Sequence, residues 1–358
     1  MFYFNLNIFV AFLALLFAFS QKSKEHKVFF FLIGVSFVFL IGLRGNEDEY
    51  TRLFIRVPEL GYFFSDISIA LETGFGFSLI CSSLKTLGFS SQALLFIFAF
   101  LSITINLYYF RKFTVYFILA FLIYLSHEVI HHEWIQIRSG LVSALLLPMI
   151  YALKNKNFLL YFLLFIFSLS IHYISVFSLL LILANYKYKT ISIIYIFFLS
   201  LLLNIVGGAG IILNFLSSLS FVPPRVELYL NWDKHNYQVS FLHPKLIQQI
   251  ITSVILIYMY RRFPSFRKNY LIINTYILAT FFLLAFSDFA ILAFRSSSHF
   301  ICVEPILLTL FIPYIKHPQF VQFGFVILFI IISYVNYVHN EALSNYLLFV
   351  PAQVDISG

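Results

Sequence analysis

The sequence predicts an all-α, polytopic membrane protein, and three observations predict it. Apolar residues make up 61% of the 358-residue chain and charged residues only 11%, with a mean hydropathy of +0.93. Uninterrupted apolar runs of about 15 to 20 residues recur from end to end, and helices of that length reach across a hydrocarbon core of ~30 Å. The runs are continuous rather than alternating, which excludes a β-barrel. The same composition overrides a reading as two or three soluble domains. The cysteines, Cys81 and Cys302, both stand in apolar context and read as buried thiols, not as a disulfide or a metal pair.

The elements follow from the runs. Residues 3–20 have no basic region before them and no small-residue cleavage site after them, so they read as a retained span and not a signal peptide. The further spans are 28–43, 92–110, 113–126, 135–153, 158–172, 173–185, 190–207, 246–260, 270–287, 299–315 and 319–336. Residues 73–88 must lie in the interface or re-enter, because a full crossing there would put Arg111 and Lys112 on the wrong side. Residues 158–185 read either as two short helices or as one long tilted one. The expectation is about 11 to 13 membrane segments in a single integral domain over residues 1–358.

Charge orients the spans. Basic residues cluster at Lys22, Lys24 and Lys27, at Arg111 and Lys112, at Lys154 and Lys156, at Lys187 and Lys189, at Arg261, Arg262, Arg267 and Lys268, and at Lys316. These clusters hold 14 of the 23 basic residues but only one of the 15 acids, Glu25, so their loops are placed on the cytoplasmic side. The 261–268 cluster reads as a topogenic and anionic-lipid contact, not as a nucleic-acid site. The external loops are then about 44–91, 127–134, 208–245 and 288–298. Six of the ten arginines lie on that face against the trend: Arg44, Arg52, Arg56, Arg138, Arg225 and Arg295.

Several stretches carry chemistry. "LRGNEDEYTRLFIR", residues 43–56, packs arginines around an acidic trio and reads either as a solvated ion-paired loop or as part of a site. Glu72 opens a glycine-containing segment, where its plain role is a favourable charge at a helix start. His127-Glu128-Val129-Ile130-His131 spells H-E-x-x-H, a pattern that on a helix offers two imidazoles and a glutamate to zinc, but no third-ligand motif follows. Arg138 stands at the outer end of an apolar helix. It is either a snorkelling residue paired with Glu133 or a guanidinium fork aimed at phosphate. His172 interrupts the apolar stretch 158–185, and ionisable residues inside spans point to function. Arg295 precedes a span, with Asp288 before it and Ser296 to Ser298 beside it. The 208–245 loop carries Arg225, Trp232 and several Tyr and His residues, suited either to sugar stacking or to an interface belt.

In order along the chain, Arg44 with Asp48-Glu49-Tyr50, Glu72-Thr-Gly-Phe, Ile137-Arg138-Ser139-Gly140, Lys154-Asn-Lys before a run ending in His172, and Arg295 before Phe300 and Pro305 resemble the EpsG-like group of Wzy-type O-antigen and exopolysaccharide polymerases. The resemblance covers about residues 28–315 and rests on the order of motifs that are each weak alone. Glu47 stands where the family usually has glycine, and Ser139 where it often has glutamine. The resemblance implies a GT-C-like, multi-pass bacterial inner-membrane glycosyltransferase with a periplasmic active site. It would join undecaprenyl-diphosphate-linked oligosaccharides, with membrane lipids and a chain-length regulator protein as partners and no metal or other cofactor implied. Charge develops on the leaving diphosphate, so fixed guanidinium groups are expected to carry much of the catalysis. Arg138 and Arg295 are the first choices and Arg44 the third, with Tyr50, Arg225 and Trp232 as further substrate contacts. The acceptor hydroxyl needs a base, for which Glu72, Asp48 and His172 are the candidates. A lipid-linked oligosaccharide flippase is the rival reading, with a membrane zinc protease behind it.

Overall fold

The structure is a computed structural model and describes residues 25–44, 49–64, 67–208, 210–211 and 237–339. Among them the chain is helical throughout, without a β-strand. The helices are α1 (Glu25–Gly42), α2 (Glu49–Arg56), α3 (Leu60–Phe63), α4 (Ile67–Thr73), α5 (Phe75–Thr86), α6 (Ser91–Phe113) and α7 (Phe117–Val129). A π-helix, Ile130–Ile135, then leads into α8 (Ile137–Lys154) and α9 (Phe158–Ile171). After the 3-10 turn Tyr173–Leu180 come α10 (Leu181–Ala184), α11 (Thr190–Ile205), α12 (Pro244–Arg262), α13 (Tyr270–Ala285), α14 (Ala290–Ile301), α15 (Glu304–Leu310) and α16 (Pro318–His339).

The protein is an all-α polytopic membrane protein, as its composition requires. Among the described residues three helical segments, Ser91–Phe113, Ile137–Lys154 and Phe266–Ala285, are long and apolar enough to cross a membrane, and a fourth if the bent pair Ala290–Ile301 and Glu304–Tyr314 counts as one. Shorter apolar helices cover 31–42, 117–126, 158–171, 173–184, 190–205 and 318–332. Of the two readings of 158–185, the structure has the divided one: α9 ends at Ile171, His172 is non-helical, and the chain resumes as a 3-10 turn. The expected span 3–20 lies outside the described residues.

Two compact units divide the chain. The first holds residues up to Leu145, Ser170–His172, and the chain from Leu308 onward. In it α1 and α6 pack closely because glycine permits it. A Cβ on Gly34 would fall 2.2 Å from Leu107 Cδ1, and one on Gly42 would fall 2.9 Å from the Phe96 Cα. Small residues at a contact are the usual way for membrane helices to approach, since lipid supplies no hydrophobic drive between them. An edge-to-face contact of Phe39 with Phe96 fills this seam, and one of Phe37 with Phe121 joins α1 to α7. The second unit comprises Leu146–Leu169 and Tyr173–Leu307, with α13 almost wholly buried in it. There the helices are tied by neutral polar pairs, Ser253 with Thr280 at 2.9 Å and Gln249 Nε2 with Ser297 Oγ at 3.1 Å. Both cysteines are buried and not joined in a disulfide.

Candidate functional site

The region 44–91, read as an external loop, is built in the structure from short helices. In α2 Tyr50, Leu53 and Phe54 are buried, while Arg52, Ile55 and Arg56 are exposed. Tyr50 thereby meets Phe77 of α5 edge-on, with ring centres 6.4 Å apart. Over this pair lies Arg138, in the first turn of α8. Its guanidinium carbon stands 5.0 Å from the Phe77 ring centre and 5.9 Å from that of Tyr50. Arg138 is buried at 7% exposure, and its NH1 donates to the carbonyl of Thr73. Its Nε has no hydrogen-bond partner among the described residues. Snorkelling, the plain alternative, does not describe this side chain: it turns inward onto aromatic faces, a geometry that favours a cation. The same guanidinium and Lys85 act against burial at Cys81, yet burial wins and pushes that thiol up to about 12.

A second buried arginine lies in the same unit. Arg44 follows α1 and is 1% exposed. Its NH1 donates to the backbone carbonyl of Glu133 at 2.9 Å and to that of Ile41 at 3.4 Å. Glu133 lies in the π-helix, where the wider turn marks a departure that often accompanies function. Its Oε1 accepts from the Tyr124 hydroxyl at 2.7 Å, while Oε2 has no partner among the described residues. Burial pushes the Glu133 carboxyl up to about 7, against the opposing effects of the Tyr124 bond, His132, Ser102 and Arg44. One turn earlier Glu128 meets His132 Nε2 at 2.8 Å, both side chains nearly fully buried. The glutamate of the H-E-x-x-H pattern is therefore engaged with His132. Among the described residues no three His, Cys, Asp or Glu gather to hold a metal ion.

Glycines set these distances. A Cβ on Gly140 would fall 2.3 Å from the His132 carbonyl oxygen and 3.2 Å from Glu133 Oε1, so only glycine lets the start of α8 pass the π-helix. Gly74, at φ +104°, joins α4 to α5 in a conformation that L side chains rarely adopt. Its Cβ would lie 2.6 Å from the Ile171 carbonyl oxygen, and a Cβ on Gly76 would lie 2.2 Å from Ser170 Oγ. The Glu72-Thr-Gly-Phe segment thus rests on the end of α9, immediately before His172, while the Thr73 carbonyl of the same segment receives Arg138. Thr73 Oγ1 is fixed in turn by Ser78 and by the Ile69 carbonyl at 2.7 Å. Glu72 stands in α4, where the structure describes its backbone, and His172 is half-buried at the break after α9.

Of the expected site residues, the first unit holds Arg44, Tyr50, Glu72, Arg138 and His172. Arg295 belongs to the second unit, half-buried on α14, with NH1 3.4 Å from the Tyr173 hydroxyl. Asp288 Oδ2 accepts from the Gly210 amide at 3.3 Å. Also in the second unit, His299 Nε2 meets Ser178 Oγ at 2.8 Å, and Glu304 Oε1 accepts from Gln248 at 3.0 Å and Tyr276 at 3.2 Å. Asp48, Arg225 and Trp232 lie outside the described residues. Sequence reasoning passed over Tyr124, Thr73 and the Glu128–His132 pair. The four-residue spacing of Glu128 and His132 was a visible signal, whereas the two neutral residues carried none.

Fold and site together define a class: an all-α membrane protein whose buried arginines and carboxylates are brought together from distant sequence segments. The chain belongs to the EpsG family, whose sequence profile matches residues 27–351. It is also similar to the amylovoran biosynthesis protein AmsC of Erwinia amylovora, at 24% identity over 80% of each chain. No solved structure matches it.

Proposed function

We propose that the protein is a polysaccharide polymerase: an inner-membrane glycosyltransferase that joins undecaprenyl-diphosphate-linked oligosaccharide units at the periplasmic face, as in O-antigen and exopolysaccharide assembly. Family membership and a relative named for amylovoran biosynthesis support the polysaccharide role. The observation that carries the enzymatic reading is the seat of Arg138. This buried cation at a helix start lies on two aromatic rings, beside the segment that links Glu72 to the residues before His172.

The chemistry requires that the bond between the donor sugar C1 and the diphosphate oxygen break while the acceptor hydroxyl oxygen bonds to C1. The diphosphate leaves with the electron pair, and the hydroxyl proton passes to a base. A guanidinium held away from water stabilises the growing phosphate charge more strongly than one in solvent. We assign Arg138 to that charge and Glu72 to the proton, with Asp48 and His172 as the other candidate bases. Arg44, bound to the Glu133 carbonyl, holds the π-helix against α1. Arg295 is assigned a separate contact with the lipid-linked substrate in its own unit, and Tyr50 supports the Arg138 fork from below. Arg225 and Trp232 are proposed sugar contacts, and a chain-length regulator is a proposed partner.

The test is deletion of the gene in its host, with complementation by Arg138→Ala, Arg138→Lys, Arg295→Ala and Glu72→Gln. Loss of the polymer ladder, leaving single repeats, is the expected result for the deletion. Arg138→Ala and Arg295→Ala should reproduce it while the protein still inserts. Lysine at 138 keeps the charge but loses the planar fork and should leave a weakened ladder. A full ladder from both alanine variants refutes the arginine assignments. Unchanged polymerisation by Glu72→Gln moves the base to another residue. Purified protein that moves lipid-linked oligosaccharide across vesicles without forming glycosidic bonds would make it a flippase instead.

A further inference from the structure

The second unit carries a groove of about 410 Å³ between α10, α11 and α13, a volume in the range of small-ligand sites. Its lining is almost wholly apolar. The starts of α11 and α13 contribute its polar end, with Tyr188, Ser192 and Asn274, while Leu199, Phe281 and Phe282 form the other. The two helices enter side by side in the same direction, so lining positions 192–199 and 274–282 imply a groove running roughly 10–12 Å along them. Asn274 is fixed at the polar end, its Nδ2 donating to the Ala184 and Tyr186 carbonyls at 2.8 and 2.7 Å.

Around that end the charge is one-sided. Lys187 and Lys189 flank Tyr188 and are exposed, and Lys187 Nζ sits 5.6 Å from the Tyr270 ring centre. The Tyr260 hydroxyl donates to the Tyr188 carbonyl at 3.1 Å, which brings the end of α12, with Arg261 and Arg262, to the same place. Arg267 follows, its Nε 2.8 Å from the Tyr260 carbonyl oxygen, with Lys268 beside it in sequence. The described residues between 173 and 281 include no Asp or Glu to balance these six cations. A basic rim with no acid among the described residues of this stretch, above an apolar channel, fits an amphiphile with an anionic head and a hydrocarbon tail.

We propose that this is a binding site for an anionic phospholipid of the surrounding bilayer. One acyl chain lies between α11 and α13, and the phosphate lies against Lys187 and Lys189. The site is independent of the catalytic assignment. Each surface lysine contributes about a fivefold preference for anionic lipid, so removing two should weaken retention roughly 30-fold.

The experiment is native mass spectrometry of the purified full-length protein, titrated with phosphatidylglycerol and, separately, with phosphatidylethanolamine. The expected result is preferential retention of phosphatidylglycerol. The double variant Lys187→Gln/Lys189→Gln should lose that preference roughly 30-fold, and Lys187→Arg/Lys189→Arg should keep it. Ser192→Phe, which fills the groove, should reduce retention of both lipids. Equal retention of the two lipids by the native protein overturns the proposal, as does an unaltered preference in the glutamine variant. Displacement of phosphatidylglycerol by a polyprenyl phosphate at equal concentration would also overturn it, giving the groove to an isoprenoid instead.

Discussion

Replacing Gly140 by alanine tests the geometry around Arg138 without touching a charged group. The added methyl would sit 2.3 Å from the His132 carbonyl oxygen and 2.7 Å from its carbonyl carbon. These are backbone atoms and cannot swing aside as a flexible side chain would. Restoring ordinary contact needs about 1 Å of separation between the start of α8 and the π-helix, and overpacking of this kind costs ~1–3 kcal/mol. Arg138 is two residues away on the same turn, so its guanidinium must move with the helix. A misplacement of ~1 Å at a reacting centre lowers rates by about 100-fold. The expected outcome is a protein that inserts, melts at a lower temperature, and polymerises about 100-fold more slowly in an assay with lipid-linked repeat units. Gly61→Ala is the control, since a Cβ there meets nothing within 4 Å. Wild-type rate and melting temperature in Gly140→Ala would refute the argument that this close approach positions Arg138.

Three further outcomes follow from the same region. Glu133, outside the candidate spans, has its carboxyl raised by burial from 4.5 to about 7, so the folded protein holds a proton that the unfolded chain releases. Stability from this group is therefore complete below pH 4.5 and declines by at most about 3 kcal/mol as pH rises to 7. Melting curves of Glu133→Gln should lack that decline, and an unchanged pH profile would show that the carboxyl does not titrate there. Arg44→Met deprives the Glu133 carbonyl of a charge-assisted donor and should cost ~1.5–3 kcal/mol in thermal or denaturant unfolding; no loss would mean the bond is not formed. Gly74→Ala places a side chain at φ +104° and 2.6 Å from the Ile171 carbonyl oxygen. It should abolish the polymer ladder and lower the amount of folded protein recovered, and a normal ladder would refute the fit of this segment against α9.

The membrane class was legible because it depends on composition and run length, which a single sequence displays directly. The site was legible only in part, and the reason differs residue by residue. Arg138 was legible because an arginine at the end of an apolar helix runs against hydropathy. Its partner could not be read, since the Thr73 acceptor is a backbone carbonyl and any residue has one. The arginine-rich stretch 43–56 suggested ion pairs; what its spacing could not show is that Arg44 NH1 donates to the backbone carbonyls of Ile41 and Glu133, since any residue offers a carbonyl. Sequence spacing also gave His127 and His131 a shared helical face. In the structure a π-helix begins at Ile130, and its wider turn replaces the regular α-helical spacing there.

Arginine bound to backbone carbonyls is compatible with a catalytic role only if part of its hydrogen-bonding capacity stays uncommitted. Arg138 meets that condition where the structure describes it. NH1 is held by the Thr73 carbonyl, the ring faces of Phe77 and Tyr50 supply favourable but non-directional attraction, and Nε has no acceptor among the described residues. A buried N–H left in that state costs ~1–3 kcal/mol, a cost that an arriving phosphate oxygen would remove. The same balance explains why lysine should be a poor replacement. Its ammonium could satisfy the Thr73 carbonyl and the rings, but it offers no second N–H held in a fixed plane for the incoming anion. A lysine variant with the native rate would therefore reduce Arg138 to a point charge and remove the reason for placing the diphosphate beside it.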